Sequence, residues 1–241
     1  MRILAIDTSL GSGSVAAVDT GGTEIRPLGT AGEHARYLTA ALIEVASCRG
    51  WGSGSAALRG LGPADVIAVI RGPGSFTGLR VGVTAAKALA WTTGARLVGI
   101  SGFDAIARQT SRLPGWGNAG CAIAYDAGRG EVFATLASVA ADAPLGWRCA
   151  EAALATADDW LRSLPHGARI SGPALDSCLA GIAARGDLCL APREAWLPSA
   201  AAAATLAGIL AASGHCDDPH TLLPDYLRPS YAEERKPLPG G

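Results

Sequence analysis

Surplus positive charge is missing from this sequence. Lys and Arg number 20 against 21 Asp and Glu, a formal net charge of −1. A chain that grips nucleic acid unaided needs a basic surplus to neutralise phosphates, so these totals disfavour that class and leave room for no more than a local basic patch. Long apolar runs are missing as well. The Ala-rich stretch 199–212 is too short and too rich in Ala to span a bilayer. The opening "MRILAIDTS" meets Asp7 after a short apolar run and lacks a secretory-signal pattern. These absences lead to the expectation of a cytoplasmic protein without membrane contact. There is no CxxC among Cys48, Cys121, Cys149, Cys178, Cys189 and Cys216, and in a chain of 241 residues that favours reduced, mostly buried thiols over a disulfide framework. Charge itself is scarce, at 17% of residues against 49% hydrophobic, so the chain can bury a sizeable core in one large domain or two lobes.

Several catalytic signatures are missing too. "EHARYL" places Leu38 four residues after His34, where the helical HxxxH metal motif needs a second His. "HCDDPH" at 215–220 collects metal-ligating residue types but lacks the usual spacings, and reads as a solvated loop. "GPGSFTG" is not GxSxG. Nor is it a Walker A loop, since Leu79 and Arg80 follow its last glycine; Thr77 breaks GxGxxG counted from Gly72, and Pro73 removes an amide. Asp7, Asp126 and Glu131 have no spacing that requires an acid–base pair.

What is present is an α/β grammar. "RILAIDTS", "GSVAAVDTGG" and "TEIRPLGT" read as a meander, with Pro27 marking an edge. A helix is expected over 33–49, where Leu38, Leu42 and Val45 recur at helical spacing. "WGSGSAALRGLGPAD" reads as a flexible loop, "DVIAVIRG" as a central strand, 77–93 as a helix, "ARLVGIS" as a strand and 102–112 as a helix. "SRLPGWGNAG" breaks the pattern, which sets an N-terminal lobe at 1–112 and a C-terminal lobe with an extended tail at 113–241. In the second half "AGCAIAYDAGRGEVFATLASVA" reads as two strands around a turn and "GWRCAEAAL" as a third. A helix follows, capped by Thr156, then strands in "ARISGPAL" and "LCLAP", and a helix over 199–213. The repeated order of strands and crossover helices predicts an α/β sheet in each lobe.

Two segments invite a chemical reading. Asp7 ends a central strand, where open α/β sheets place ligands, and Gly11, Ser12 and Gly13 can present amides to a phosphate; a tight hairpin with Asp7 and Thr8 bonding their own loop is the favoured alternative. In "RGPGSFTGLRVGVTAAKALA", Ser75 or Thr77 can cap the helix. Arg80 falls in its first turn, where the helix dipole disfavours a cation by about 0.3–1 kcal/mol. That leaves a carboxylate or phosphate neighbour and a water-screened side chain as alternatives. Val81, Ala85 and Ala88 form one stripe of this helix and Leu79, Val83, Ala86 and Ala90 another, so one stripe is expected to face the sheet and the other a neighbouring element or chain.

"MRILAIDTS…SVAAV", "EHARYL", "AVIRGPGSFTGLRVGVTAAKALA", "DAGRGEVFA" and "PDYLRPSYAEERK" together resemble the TsaB family, also called YeaZ, from residue 1 to about 236. The resemblance implies the two-lobed actin, hexokinase and Hsp70-like (ASKHA) ATPase fold with a reduced C-terminal lobe. It implies a non-catalytic, activating subunit with no catalytic or metal-ligating residues and no tightly bound cofactor. ATP or ADP and metal are expected instead in a TsaD-like partner. With a TsaE-like ATPase, that assembly moves threonylcarbamoyl from threonylcarbamoyl-AMP to N6 of adenosine 37 in tRNAs reading codons that start with A. The subunit is expected to form a homodimer when alone and to meet tRNA only through the complex. Both dimers are expected to use helices 33–49 and 77–93, here through His34, Tyr37, Leu38, Ala41, Arg80, Val81, Thr84, Ala85 and Ala88. Asp7, Thr8, Ser9 and Ser12 would be a vestigial nucleotide site. The family reads Asp-Ala-Arg where Gly128 stands, with Arg129 one place later, which leaves the role of that arginine open. The alternative is an independent ATP-dependent small-molecule kinase or ATPase of the same fold; a metallopeptidase is disfavoured by the missing HxxxH.

Overall fold

The structure is a computed structural model that describes residues 1–30, 32–117 and 119–228. The "PSYAEERK" end of the last resembling segment, and the expected tail after 228, lie outside the described residues. Strands β1 (Ile3–Asp7), β2 (Ser14–Asp19) and β3 (Gly22–Pro27) form the antiparallel meander. β4 (Val66–Gly72) and β5 (Arg96–Ser101) join parallel on the other side of β1, giving the order β3-β2-β1-β4-β5. β1 is buried along its whole length, which accounts for its unbroken apolar run.

Alternation divides this sheet between two cores. Leu4, Ile6, Ile67 and Val69 face helices α1 (His34–Cys48) and α3 (Phe76–Thr93), meeting Leu42, Val45, Val83 and Ala86. A one-turn helix, α2 (Ala56–Arg59), forms within the stretch expected to be loop and adds Ala57 and Leu58 to that core. On the opposite face Ile3, Ala5, Val66, Ala68 and Ile70 meet α7 (Ala200–Ala212). Sequence order sets α7 in the second half of the chain, yet it covers the first sheet. Ala200, Ala202, Ala203, Ala204, Leu206, Ala207 and Ala211, spread over several of its faces, are buried.

The second sheet repeats the plan. β6 (Cys121–Gly128), β7 (Glu131–Val139) and β8 (Trp147–Cys149) are antiparallel, and β10 (Arg169–Ser171) and β11 (Cys189–Leu190) run parallel to β6, in the order β11-β10-β6-β7-β8. The third strand expected in "GWRCAEAAL" is divided into β8 and β9 (Ala153–Thr156), both paired with β7. Helices α5 (Ala157–Ser163) and α6 (Leu175–Arg185) cover one face, packing Trp160, Leu161, Leu175 and Ile182 on Ala122, Ala124 and Ile170. Thr156 caps α5 as expected, its hydroxyl accepting from the Asp159 amide at 3.1 Å. Helix α4 (Gly102–Ser111) lies between the lobes, where Phe103, Ile106 and Ala107 pack on Cys121, Ile123 and Tyr125.

The cysteine expectation is corrected in part. All six are free thiols, but Cys48, Cys189 and Cys216 are exposed and Cys149 is half-buried; Cys121 and Cys178 are the buried ones. No helix among the described residues is long and apolar enough to cross a membrane.

Candidate functional site

The glycine-rich turn into α3 packs on the end of β1, with a hollow of about 370 Å³ beside it lined by Thr8, His34, Ser75, Thr77, Gly78 and Val81. Ser75 is the N-cap, its Oγ accepting from the Gly78 amide at 3.4 Å, and its own amide donates to the Ser9 carbonyl at 2.7 Å. Thr8 Oγ1 donates to the Gly78 carbonyl at 2.7 Å. The glycines are where this approach is tightest. A Cβ on Gly74 would stand 2.2 Å from the Ser9 carbonyl oxygen, one on Gly78 2.1 Å from that of Thr8, and one on Gly82 2.3 Å from Thr8 Oγ1. Glycine here lets the first turns of α3 lie directly on the end of β1.

That packing decides the fate of the candidate nucleotide residues. Asp7, Thr8 and Ser9 are fully buried, while Ser12 is exposed on the loop, so the four do not gather in one open site. Asp7 Oδ1 accepts from the Ser9 amide at 2.9 Å and the Ser9 hydroxyl at 2.6 Å. Its Oδ2 is buried without a partner. Burial pushes the Asp7 carboxyl up to about 6, against the lowering pull of the Ser9 hydrogen bonds. Asp126 and Glu131 do not join it: Asp126 accepts from the Gly128 amide and Glu131 binds Arg228. Among the described residues no group of His, Cys, Asp and Glu is arranged to hold a metal ion. The "HCDDPH" carboxylates are engaged elsewhere, Asp217 by the Gly99 amide and Asp218 by the His220 amide.

The expected interface residues separate by burial. His34, Leu38 and Ala41 are mostly buried in this chain, although Leu38 lines the groove between α1 and α3 and His34 the hollow beside the α3 turn. His34 Nε2 accepts from the Gly13 amide at 3.3 Å and so steadies the β1–β2 loop, and Leu38 and Ala41 belong to the core beneath α1. Tyr37, Arg80, Thr84 and Ala88 are exposed, and Val81 and Ala85 are half-buried. A groove of about 250 Å³ runs where α1 meets α3, with Leu42, Leu58, Ala85, Ala88, Leu89 and Thr92 along it. Leu58, Leu89 and Thr92 escaped the sequence reading, although Leu89 and Thr92 lie four residues beyond Ala85 and Ala88 on the same stripe.

Arg80 has neither of its expected neighbours. Its guanidinium lies 3.9 Å from the centre of the Phe76 ring, and its Nε donates to the Tyr226 hydroxyl at 2.9 Å. Aromatic faces thus offset the unfavourable dipole position. Arg129 occupies the left-handed region at φ 59 between Gly128 and Gly130, at the tip of the β6–β7 hairpin. Between the lobes lies a cleft of about 400 Å³ lined by Leu10, Pro73, Phe76, Tyr125, Phe133 and Tyr226. A larger hollow of about 770 Å³ lies over β7 and α5 in the second lobe, bordered by Trp160, His166 and Arg169.

A family model described as "TsaD: tRNA N6-adenosine threonylcarbamoyltransferase" matches residues 57–143. The tRNA threonylcarbamoyladenosine biosynthesis protein TsaB of Bacillus subtilis (strain 168) is 36% identical over 78 residues, which is 32% of this chain and 32% of that protein. The match therefore spans about a third of the relative's length. The structure of YeaZ from Pseudomonas aeruginosa superposes with a TM-score of 0.74 at 24% identity, covering 94% of this chain and 99% of that one. A second structure, described as an uncharacterized protein with similarity to peptidase YEAZ from Pseudomonas aeruginosa, gives 0.72 at 24% identity over the same shares. The two mixed sheets are those of the YeaZ fold, a TsaD-like ASKHA-type architecture.

Proposed function

We propose, from the premise that this chain is similar to TsaB and TsaD, that it serves in the biosynthesis of threonylcarbamoyladenosine in tRNA as a non-catalytic partner of a TsaD-like subunit. In this reading the transfer to N6 of adenosine 37, the nucleotide and the metal belong to that partner, and a TsaE-like ATPase completes the assembly. Location in the cytoplasm and contact with tRNA through the complex belong to the same proposal. The observation that carries it is the α1–α3 groove, a largely apolar surface lined by Leu38, Leu42, Leu58 and Leu89 and bordered by exposed Thr39 and Ala88. Small residues along α3 let another helix approach closely, and the chain alone would pair through the same face as a homodimer. The buried, internally bonded state of Asp7, Thr8 and Ser9 supports assigning nucleotide chemistry elsewhere.

The test is co-purification with TsaD and TsaE proteins, followed by a tRNA modification assay with each component omitted in turn. Ala88→Arg is the informative variant: Ala88 is exposed, so the change leaves the fold intact and sets an unpaired charge in the interface. Loss of the complex with an unchanged melting temperature is the expected result. Unaltered complex formation by Ala88→Arg would remove the interface assignment, and modification by the lone chain would remove the non-catalytic role. Ala41→Arg is unsuitable because Ala41 is buried in the core.

A further inference from the structure

The residues after α7, from Asp217 to Arg228, cross from one lobe to the other in a series of anchored steps. Asp217 donates its amide to the Leu97 carbonyl at 2.8 Å and accepts from the Gly99 amide through Oδ2 at 2.8 Å. Leu222 is buried in the core beneath α3, and its carbonyl accepts from Lys87 Nζ at 3.0 Å. The Asp225 amide donates to the Arg71 carbonyl at 2.7 Å, and its carboxylate lies 3.7 Å from the Arg71 guanidinium. Tyr226 stacks on Phe76 with ring centres 4.8 Å apart and accepts from Arg80. Two residues later Arg228 donates to the Ala127 carbonyl at 2.8 Å and to Glu131 at 2.7 Å, both on the β6–β7 hairpin of the second lobe.

Gly72 shows how closely this segment is fitted. Its φ is +143, and a Cβ there would stand 2.4 Å from the Asp225 carbonyl oxygen. The segments "RGPGSFTGLR", "DAGRGE" and "PDYLR", far apart in sequence, therefore meet along one line.

We propose that residues 217–228 form a clasp that holds the β6–β7 hairpin of the second lobe against the first lobe, with Arg80, Phe76 and Tyr226 as its catch. Among the described residues, the contacts that fix 217–225 outside the segment itself, through Asp217, Leu222 and Asp225, are with the first lobe. Tyr226 is the last such anchor before Leu227 packs on the cluster of Phe103, Ile123 and Tyr125 and Arg228 bonds the hairpin. Loosening the catch therefore frees the link to the hairpin while leaving the sheets intact. The proposal stands on intramolecular contacts and is independent of any partner.

Hydrogen–deuterium exchange of the full chain, read by peptide, tests it. In Tyr226→Ala, peptides covering 223–228 and 126–131 should both exchange faster by about tenfold or more, as a local opening does, while β1 and β4 peptides keep wild-type rates. Faster exchange in 223–228 with an unchanged hairpin, or no change in either, would overturn the clasp. If Tyr226→Ala accelerates exchange throughout the chain, Tyr226→Phe decides on the same two peptides, since it removes the hydroxyl bonded to Arg80 and keeps the ring. Arg228→Gln should accelerate the hairpin and leave 217–222 protected; an unaltered hairpin in that variant also refutes the proposal.

Discussion

Gly78→Ala separates local helix preference from tertiary packing, because the two predict opposite signs. Gly78 lies within the first turn of α3, and Ala in place of Gly favours a helix by about 1 kcal/mol. On local grounds the variant should be more stable. The structure says otherwise. The new Cβ would meet the Thr8 carbonyl oxygen at 2.1 Å, where ordinary contact begins at 3.4 Å. The obstacle is backbone, itself part of the β1 end that Ser75 and Thr8 tie to α3, so no side chain can swing aside. Overpacking of this kind costs about 1–3 kcal/mol, and a rigid backbone obstacle sits at the upper end. After the helix gain is subtracted, a net loss of about 2 kcal/mol remains, or about 4–8 °C in melting temperature for a chain of this size. Thermal and urea unfolding followed by circular dichroism would measure it. Gly11→Ala is the control: nothing lies within 4 Å of its Cβ position, and the change should stay within about 0.5 kcal/mol. A Gly78→Ala protein that melts at or above the wild-type temperature would refute the close-approach account of the motif.

Asp7 makes stability depend on pH. Its folded carboxyl is raised by burial from 3.8 to about 6, so the native state holds the proton more tightly than the unfolded chain. The resulting stabilisation is complete below about 3.8 and lost as pH rises through about 6. Asp7→Asn keeps an oxygen for the Ser9 bonds and cannot titrate, so its stability relative to wild type should improve by about 2–3 kcal/mol from pH 4 to pH 7; parallel pH profiles in urea unfolding would contradict this. The Tyr125 hydroxyl is buried without a protein partner, so Tyr125→Phe should be neutral or slightly stabilising, and a loss above about 1 kcal/mol in the same assay would instead signal a bridging water. With a thiol reagent, Cys48, Cys189 and Cys216 should react in the native protein and all six cysteines only after denaturation. Burial pushes the Cys121 thiol up to about 12 and that of Cys149 higher still; native labelling of Cys121 as fast as that of Cys48 would show that the second sheet opens readily.

Short-range features were legible in the sequence. The opening meander, the Thr156 cap and the buried character of β4 follow from local pattern and are found, and of the two cap candidates for α3, Ser75 and Thr77, the structure uses Ser75. Legibility failed where the deciding contact is distant. Arg80 and Tyr226 are 146 positions apart, and nothing near Arg80 announces an aromatic partner. Helical spacing set Leu38 on the sheet-facing stripe of α1, and Leu38 and Ala41 lie in the core beneath that helix; their place at an interface rested on the family resemblance alone. The α7 sequence carries no polar face, so periodicity gave no direction for its packing, and chain order suggested the wrong sheet. The glycines of the α3 turn were legible as a sharp turn but not as a close approach, since the neighbour is the Thr8–Ser9 backbone after the adjacent strand β1, about 70 positions away in sequence.

The return of α7 to the first sheet also sets the timetable of synthesis. By the time α4 has been made, β1 to β5 are complete, yet the face formed by Ile3, Ala5, Val66, Ala68 and Ile70 waits for the alanines of 200–211. At about 5–20 residues per second, ribosomes need several seconds or more to supply that cover. During this interval a nascent chain presents an apolar sheet face to the cell, and a fragment ending at 112 would present it permanently. The intact second half therefore acts as the first lobe's delayed lid, and separate expression of the lobes should demand a chaperone or a co-expressed α7 segment.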